Sequence, residues 1–254
     1  MDTDDDLATA REAARTAGEV AAAHFRSTGL TVTQKSGPGD VVTEADRQAE
    51  AAALDHLRLR RPDDGAVGEE GGHRPGRRTW FVDAIDGTLN YVAGDPFWCS
   101  AVALVDDDGP VVSAVLHPAT GELFSAARGR GCRLGDAPLT RGPGPALGRA
   151  TLSTYLTPAD ASDPAVLGVL LGVARATAAL RIRGSGSLEL AWIAAGRADL
   201  WVQRDVLPWD WHPGALLVAE AGGVAETVPG SGAAWSFAGG RALREELLHH
   251  LARA

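Results

Sequence analysis

Residues 80–91 read Trp-Phe-Val-Asp-Ala-Ile-Asp-Gly-Thr-Leu-Asn-Tyr. Trp80, Phe81 and Val82 form an apolar strand pattern that runs straight into two carboxylates three residues apart, Asp83 and Asp86, with Gly87 and Thr88 directly behind. A buried strand that delivers two acids to its end concentrates negative charge, which is costly unless a cation neutralises it. Hard divalent cations such as Mg2+ take oxygen ligands and usually share them with substrate phosphates. Gly87 lets the backbone approach a ligand, and a helix starting there offers free N–H groups to an anion. Carboxylates for a metal beside amides for a phosphate point to metal-dependent phosphate chemistry. The plainer reading is a polar turn in which Asp86 caps a helix, and acids elsewhere in the chain decide between the two.

Three other segments offer such acids. Gly68-Glu69-Glu70-Gly71-Gly72 follows a helical stretch ending near Arg61-Pro62. Its adjacent glutamates need not point the same way, so one can bind metal while the other faces solvent; an ordinary solvated acidic loop is the alternative. Trp209-Asp210-Trp211-His212-Pro213-Gly214 precedes the apolar run 215–219. An acid there is most often an N-cap, but two flanking tryptophans imply a semi-buried carboxylate that needs a partner. Lys35 to Asp46 reads Lys-Ser-Gly-Pro-Gly-Asp-Val-Val-Thr-Glu-Ala-Asp, where Thr43 and Asp46 fit a capping box. Asp46 could be no more than a first-turn acid on a helix dipole, and Lys35 no more than a mobile surface lysine.

The set and its order carry a resemblance. Lys35 to Asp46, Gly68-Glu69-Glu70, Asp83-Ala84-Ile85-Asp86-Gly87-Thr88, Gly184-Ser185-Gly186-Ser187, Trp209-Asp210 and Glu220-Ala221-Gly222-Gly223 closely resemble the inositol monophosphatase family, over about residues 13–227. The resemblance implies that Glu69, Asp83, Asp86 and the carbonyl of Ile85 hold metal ions, and that Asp210 binds a further metal and a substrate hydroxyl. It implies that Thr88 and Asp46 orient the attacking water, with Glu69 as a partner in deprotonating it. Substrate contacts are implied at Asp86, Gly87, Thr88, Gly184, Ser185, Gln203 and Asp210, and Lys35 stands as an auxiliary residue. The implied cofactor is Mg2+, two or three ions, with Mn2+ as a substitute. A homodimer is the implied assembly.

Departures from the family pattern fall near the substrate. Ala84 stands where proline is usual between the two acids, and Asp210-Trp211-His212-Pro213-Gly214 replaces a small, apolar segment. Counting back seven from Asp210 gives Gln203, where inositol-specific members place a glutamate that contacts the ring hydroxyls. Metal chemistry is expected to survive these changes, while the choice of substrate is not fixed by them.

The charge balance, 24 basic against 33 acidic residues for a net of −9, with no basic run, argues against duplex nucleic acid or an anionic membrane surface as partner. The acidic start Met1-Asp2-Thr3-Asp4-Asp5-Asp6 is the opposite of a signal peptide, and the apolar stretches near 165–174 and 188–196 fall short of a membrane span. Two cysteines, Cys99 and Cys132, fit reduced core thiols and a cytoplasmic setting.

Periodicity predicts helices at 5–27 and 43–60, then strands at 79–84, 98–105, 111–117, 122–127 and 132–134 that form an antiparallel sheet covered by the leading helices. After the Gly-rich loop 142–148 the pattern alternates: strand 150–155, helix 164–178, strand 180–183, helix 186–196, strand 198–203, helix 211–221, strand 223–227, and a closing helix 241–251. Alternation argues for a second α/β layer set. The expected class is therefore α/β, layered α-β-α-β-α as the family resemblance implies, with residues 1–144 carrying most metal ligands and 145–254 completing the site. His117, His249 and His250 are expected to be structural or surface residues.

The expected function is Mg-dependent hydrolysis of a small-molecule phosphate monoester by an activated water. Alternatives are a histidinol-phosphate phosphatase, a phosphatase of 3′-phosphoadenosine-type nucleotides, and a metal-binding regulatory scaffold.

Overall fold

The computed structural model describes residues 2–37, 39–230 and 233–251; Pro38 of the predicted Gly-Pro-Gly turn lies outside them. The first half runs α1 (Thr3–His24), β1 (Val32–Gly37), β2 (Asp40–Thr43), α2 (Glu44–Arg60), β3 (Gly65–Gly68), β4 (His73–Arg74), β5 (Thr79–Asp86), α3 (Thr88–Ala93), β6 (Cys99–Asp106), β7 (Gly109–His117), β8 (Glu122–Ala127), β9 (Gly131–Leu134) and β10 (Ala137–Leu139). The second half runs β11 (Thr151–Ser153), α4 (Pro158–Ser162), α5 (Pro164–Ala176), β12 (Ala179–Arg181), α6 (Gly186–Ala194), β13 (Leu200–Arg204), α7 (Pro208–Glu220), β14 (Val224–Gly230), β15 (Ala233–Gly239) and α8 (Arg244–Leu251).

Two large sheets organise the molecule. The first has eight strands in the order β10-β9-β8-β7-β6-β5-β3-β4, and the second has five, β12-β11-β13-β15-β14. Helices α1 and α2 cover one face of the first sheet. Their contact stripe is alanine-rich (Ala10, Ala13, Ala14, Ala17, Ala21, then Ala45, Ala49, Ala53), and small side chains let the helices lie close to Trp80, Val82 and Val102. Helices α6 and α7 fill the space between the sheets, where Leu188, Ile193 and Leu217 meet Phe124 and Val115 from one side and Trp201 from the other. Val166 and Val169 of α5 and Leu247 of α8 pack on the outer face of the second sheet with Leu152 and Phe237. The layers therefore read α-β-α-β-α, as expected.

Several boundaries differ from the sequence reading. Helix α1 stops at His24 rather than 27, because Arg26 takes a left-handed conformation at φ +59°. Helix α7 starts at Pro208, a residue type suited to the first helical turn, so Asp210 lies inside that turn and not before it. The first sheet is not wholly antiparallel, since β3 pairs parallel to β5. The β1–β2 hairpin and strand β15 were not expected, and residues 241–243 form a 3-10 turn ahead of α8.

Candidate active site

Strand β5 delivers the two acids. Its pairing with β6 is in register up to Asp83↔Ala101 and resumes at Asp86↔Cys99, so an irregularity sits between the carboxylates. Ser100 Oγ donates to the Ala84 carbonyl (2.6 Å), and the Ile85 amide donates to Asp83 Oδ1 (3.1 Å), which fixes the kinked backbone. Gly87 follows at φ +102°; a Cβ there would lie 3.1 Å from the Gly184 carbonyl oxygen and 3.2 Å from that of Phe97. Only glycine suits that conformation and that approach.

Thr88 opens α3 and reaches into the first half's helical layer. Its hydroxyl lies 3.0 Å from Asp46 Oδ1 and 3.2 Å from the Ile85 carbonyl oxygen. Asp46 is buried and accepts from both the amide and hydroxyl of Thr43, completing the expected capping box. Burial raises the Asp46 pKa, against hydrogen bonds from Thr43 and Thr88 that lower it. The capping role and the Thr88 contact coexist, because each uses a different carboxylate oxygen.

Glu69 stands on a loop held from beneath by a residue the sequence reading passed over. Glu50, buried in α2, accepts from the Glu70 amide (2.7 Å) and the Gly72 amide (3.1 Å). Lys35 Nζ bridges Glu69 (2.8 Å) and Glu70 (3.0 Å). Burial opposes a charge on Lys35, but the two glutamates outweigh it and hold its pKa above the ordinary value. Lys35 is thus held by two carboxylates, and of the adjacent glutamates Glu70 is the more buried, its side chain 8% exposed against 25% for Glu69.

Asp210 enters from α7 and lines the same cleft as Asp83. Burial, then Glu69, Asp86 and Asp210, push the Asp83 carboxyl well above the usual carboxylate range. Asp210 is pushed the same way by burial, Asp86 and Glu69. Asp86 rises to about 6, chiefly from burial, although the amides of Ser187 and Gly186 (3.1 Å) donate to it from the start of α6. Among the described residues, no three His, Cys, Asp or Glu side chains already form a metal cage. Lys35 pairs with Glu69, and the α6 amides donate to Asp86. The donor set still fits a hard cation, because it is all oxygen and short of positive partners.

These elements enclose a cleft of about 360 Å3. Glu69, Asp83, Ile85, Asp86, Gly87 and Thr88 line it, and so do Gly184, Gln203 and Asp210. Asp46, Lys35 and Ser185 do not; they stand one contact behind the wall. Among the cleft residues the sequence reading missed Asp40, Asn90, Tyr155 and Arg183. Asn90 lies four residues beyond Asp86. Its Nδ2 donates to the carbonyls of Phe97 (2.7 Å) and Arg183 (2.6 Å), joining the two halves.

A family model described as the inositol monophosphatase family matches residues 2–253. The chain belongs to this family. It is 41% identical over 202 residues to a protein of Rhizobium meliloti (strain 1021) named inositol-1-monophosphatase, covering 77% of this chain and 75% of that one. It is 36% identical over 215 residues to the Nus factor SuhB of Xylella fastidiosa (strain Temecula1), covering 84% and 78%. The solved structure of the IMPase of Thermotoga maritima superposes with a TM-score of 0.85 at 27% identity, covering 97% of this chain and 96% of that one. The two-sheet layering of this chain is shared with that solved structure. No helix among the described residues is long and apolar enough to cross a membrane.

Proposed function

We propose that this inositol monophosphatase family member hydrolyses a small-molecule phosphate monoester, an inositol, cyclitol or sugar phosphate, in the cleft beside Asp83, and that it works as a homodimer. The observation that carries the reading is convergence: Glu69, Asp83, Asp86 and Asp210, from three separated segments, line one cavity. Those four carboxylates and the Ile85 carbonyl would hold two or three Mg2+ ions, or Mn2+ in their place. Bound there, the ions would supply positive charge to the phosphoryl oxygens and make a water acidic enough to attack near neutral pH.

The chain's own groups do the aiming. The Thr88 proton is committed to Asp46 and the Ile85 carbonyl, so the lone pairs of its oxygen remain to orient a water in the cleft. Asp46 cannot swing away, because Thr43 grips its other oxygen. Glu69, aimed by Lys35, stands at the edge as the group that shares in deprotonation. The amides of Gly87 and Thr88 are assigned to phosphoryl oxygens. Gly184 and Gln203 are assigned to the alcohol being released, with Asp210 orienting it and Ser185 backing that wall of the cleft.

A histidinol phosphate, or a 3′-phosphoadenosine-type nucleotide, would be handled by the same water-directing groups. A regulatory scaffold is the non-enzyme alternative, to which the name Nus factor of some relatives lends support. Phosphate release with Mg2+ across a panel of these monoesters separates the readings. Turnover of a polyol phosphate is the expected result, and no release from any monoester would favour the scaffold.

A further inference from the structure

Between β12 and α6 the chain makes a short loop, 182–185, that brings the Gly186 and Ser187 amides onto Asp86. The loop has no side-chain cap of its own: Ser185, the residue before α6, makes no capping hydrogen bond. Gly184 is at φ +83°, packed against the Asn90 side chain, and contributes no side chain to hold the turn. What closes it is Arg183. Its Nη1 donates to Glu189 (3.3 Å), six residues ahead on α6, and to Ser153 Oγ (3.1 Å) at the end of β11. Its guanidinium also lies 5.9 Å from the Phe97 ring centre and 5.4 Å from that of Trp192, within cation–π range. Its main-chain carbonyl is the one Asn90 grips.

Glu189 is a buried acid on α6. Its side chain is 1% exposed, on a helix whose other buried residues are apolar except for Ser187, and its ion-pair partner is Arg183. A buried carboxylate without a cation is costly, and burial does raise the pKa of Glu189, to about 8, against the pull of Arg183. Such a group persists where its geometry is used.

We infer that Arg183, anchored by Glu189 and Ser153, is a positioning residue that sets the α6 amides against Asp86 and thereby fixes the spacing of the two sheets across the cleft. Although Arg183 lines the cleft, the role inferred here runs through the loop, by way of its bonds to Glu189 and Ser153. Its consequence for metal affinity rests on the metal site proposed above, whereas its effect on the loop does not.

The test is Arg183→Met, which keeps the stem against Phe97 and Trp192 and removes the donors. Amide hydrogen exchange at Gly186 and Ser187 is expected to speed up at least about tenfold, with β13 amides unchanged. Calorimetric Mg2+ affinity of the full chain is expected to fall about tenfold, in line with groups that orient metal ligands. Arg183→Lys should recover part of both. Glu189→Gln reads the same pair if the methionine variant does not fold, and the double variant should be no worse than the more damaging single one. Unchanged exchange at Gly186 and Ser187 in a folded variant overturns the inference. A wild-type chain that binds no Mg2+ would remove the proposed metal site, and the exchange rates would still decide the clamp.

Discussion

The Thr88 hydroxyl lies 3.0 Å from Asp46 Oδ1, and this bond ties the start of α3 to the opening turn of α2 across 42 residues of chain. A capping carboxylate thereby serves two ends. One oxygen closes its own helix through Thr43, and the other fixes the side chain assigned to the attacking water.

Thr88→Ala is therefore expected to lower kcat by about two to four orders of magnitude, the usual contribution of a positioned proton-handling group. Mg2+ affinity should change little, since the hydroxyl is assigned to water. Steady-state kinetics at saturating Mg2+, with calorimetry, checks this. Collapse of metal affinity with the rate restored by extra Mg2+ would make Thr88 a ligand-holding residue.

The carboxylate cluster makes a pH-dependent stability claim. The Asp86 pKa is raised from 3.8 to about 6, mainly by burial. A carboxyl whose folded pKa exceeds its unfolded one binds protons more tightly when folded, so stability falls as pH rises between the two values. Asp86→Asn is expected to abolish turnover. In chelator its Tm should come closest to wild type near about pH 4 and exceed it most near about pH 8, because the loss accumulates between the unfolded and folded pKa values. Melting curves at the two pH values decide it; a difference that does not grow with pH would contradict the assigned cost of burying the charge.

Glu50 carries a third expectation. Glu50→Ala leaves the Glu70 and Gly72 amides without their acceptor, at a cost on the order of 1–3 kcal/mol. The loop bearing Glu69 should loosen, so Mg2+ affinity falls while kcat at saturating Mg2+ largely survives. Unaltered affinity in a folded variant would show that Glu69 needs no such support.

Gln203 lines the cleft, where it both donates and accepts but carries no charge. Losing a charge-assisted hydrogen bond costs on the order of 1.5–3 kcal/mol, roughly ten- to a hundredfold in binding. Modest efficiency on myo-inositol 1-phosphate is expected, with better turnover of another polyol, sugar or amino alcohol phosphate. Gln203→Glu should shift kcat/KM toward inositol phosphate. An unchanged ratio across the panel would place residue 203 away from the leaving group.

Much of this arrangement was legible in the sequence, for physical reasons. The strand ending in Asp83 and Asp86, the capping pair Thr43 and Asp46, and the alanine stripe of α1 are local patterns, and local patterns survive folding. Glu50 was readable too, since it falls on the stripe Asp46, Glu50, Ala53, Leu57 that α2 buries, where an acid must have a partner. What escaped depends on distant contacts. The amide pair from α6 reaches Asp86 from about a hundred residues away, and nothing near Arg183 or Glu189 announces that they meet. The parallel β3–β5 pairing is of the same kind, because β3 is short and rich in glycine. The start of α7 was misplaced for a different reason: the tryptophans and Pro213 masked the stronger signal of Pro208.

The most direct measurement is phosphate release by metal-stripped wild-type protein, with and without added Mg2+, beside Asp83→Asn as control. The account expects no release without the ion, restored turnover of at least one polyol or sugar phosphate with it, and no restoration in the Asp83 variant. Full activity in excess chelator after confirmed metal removal, or equal turnover by Asp83→Asn, would contradict it.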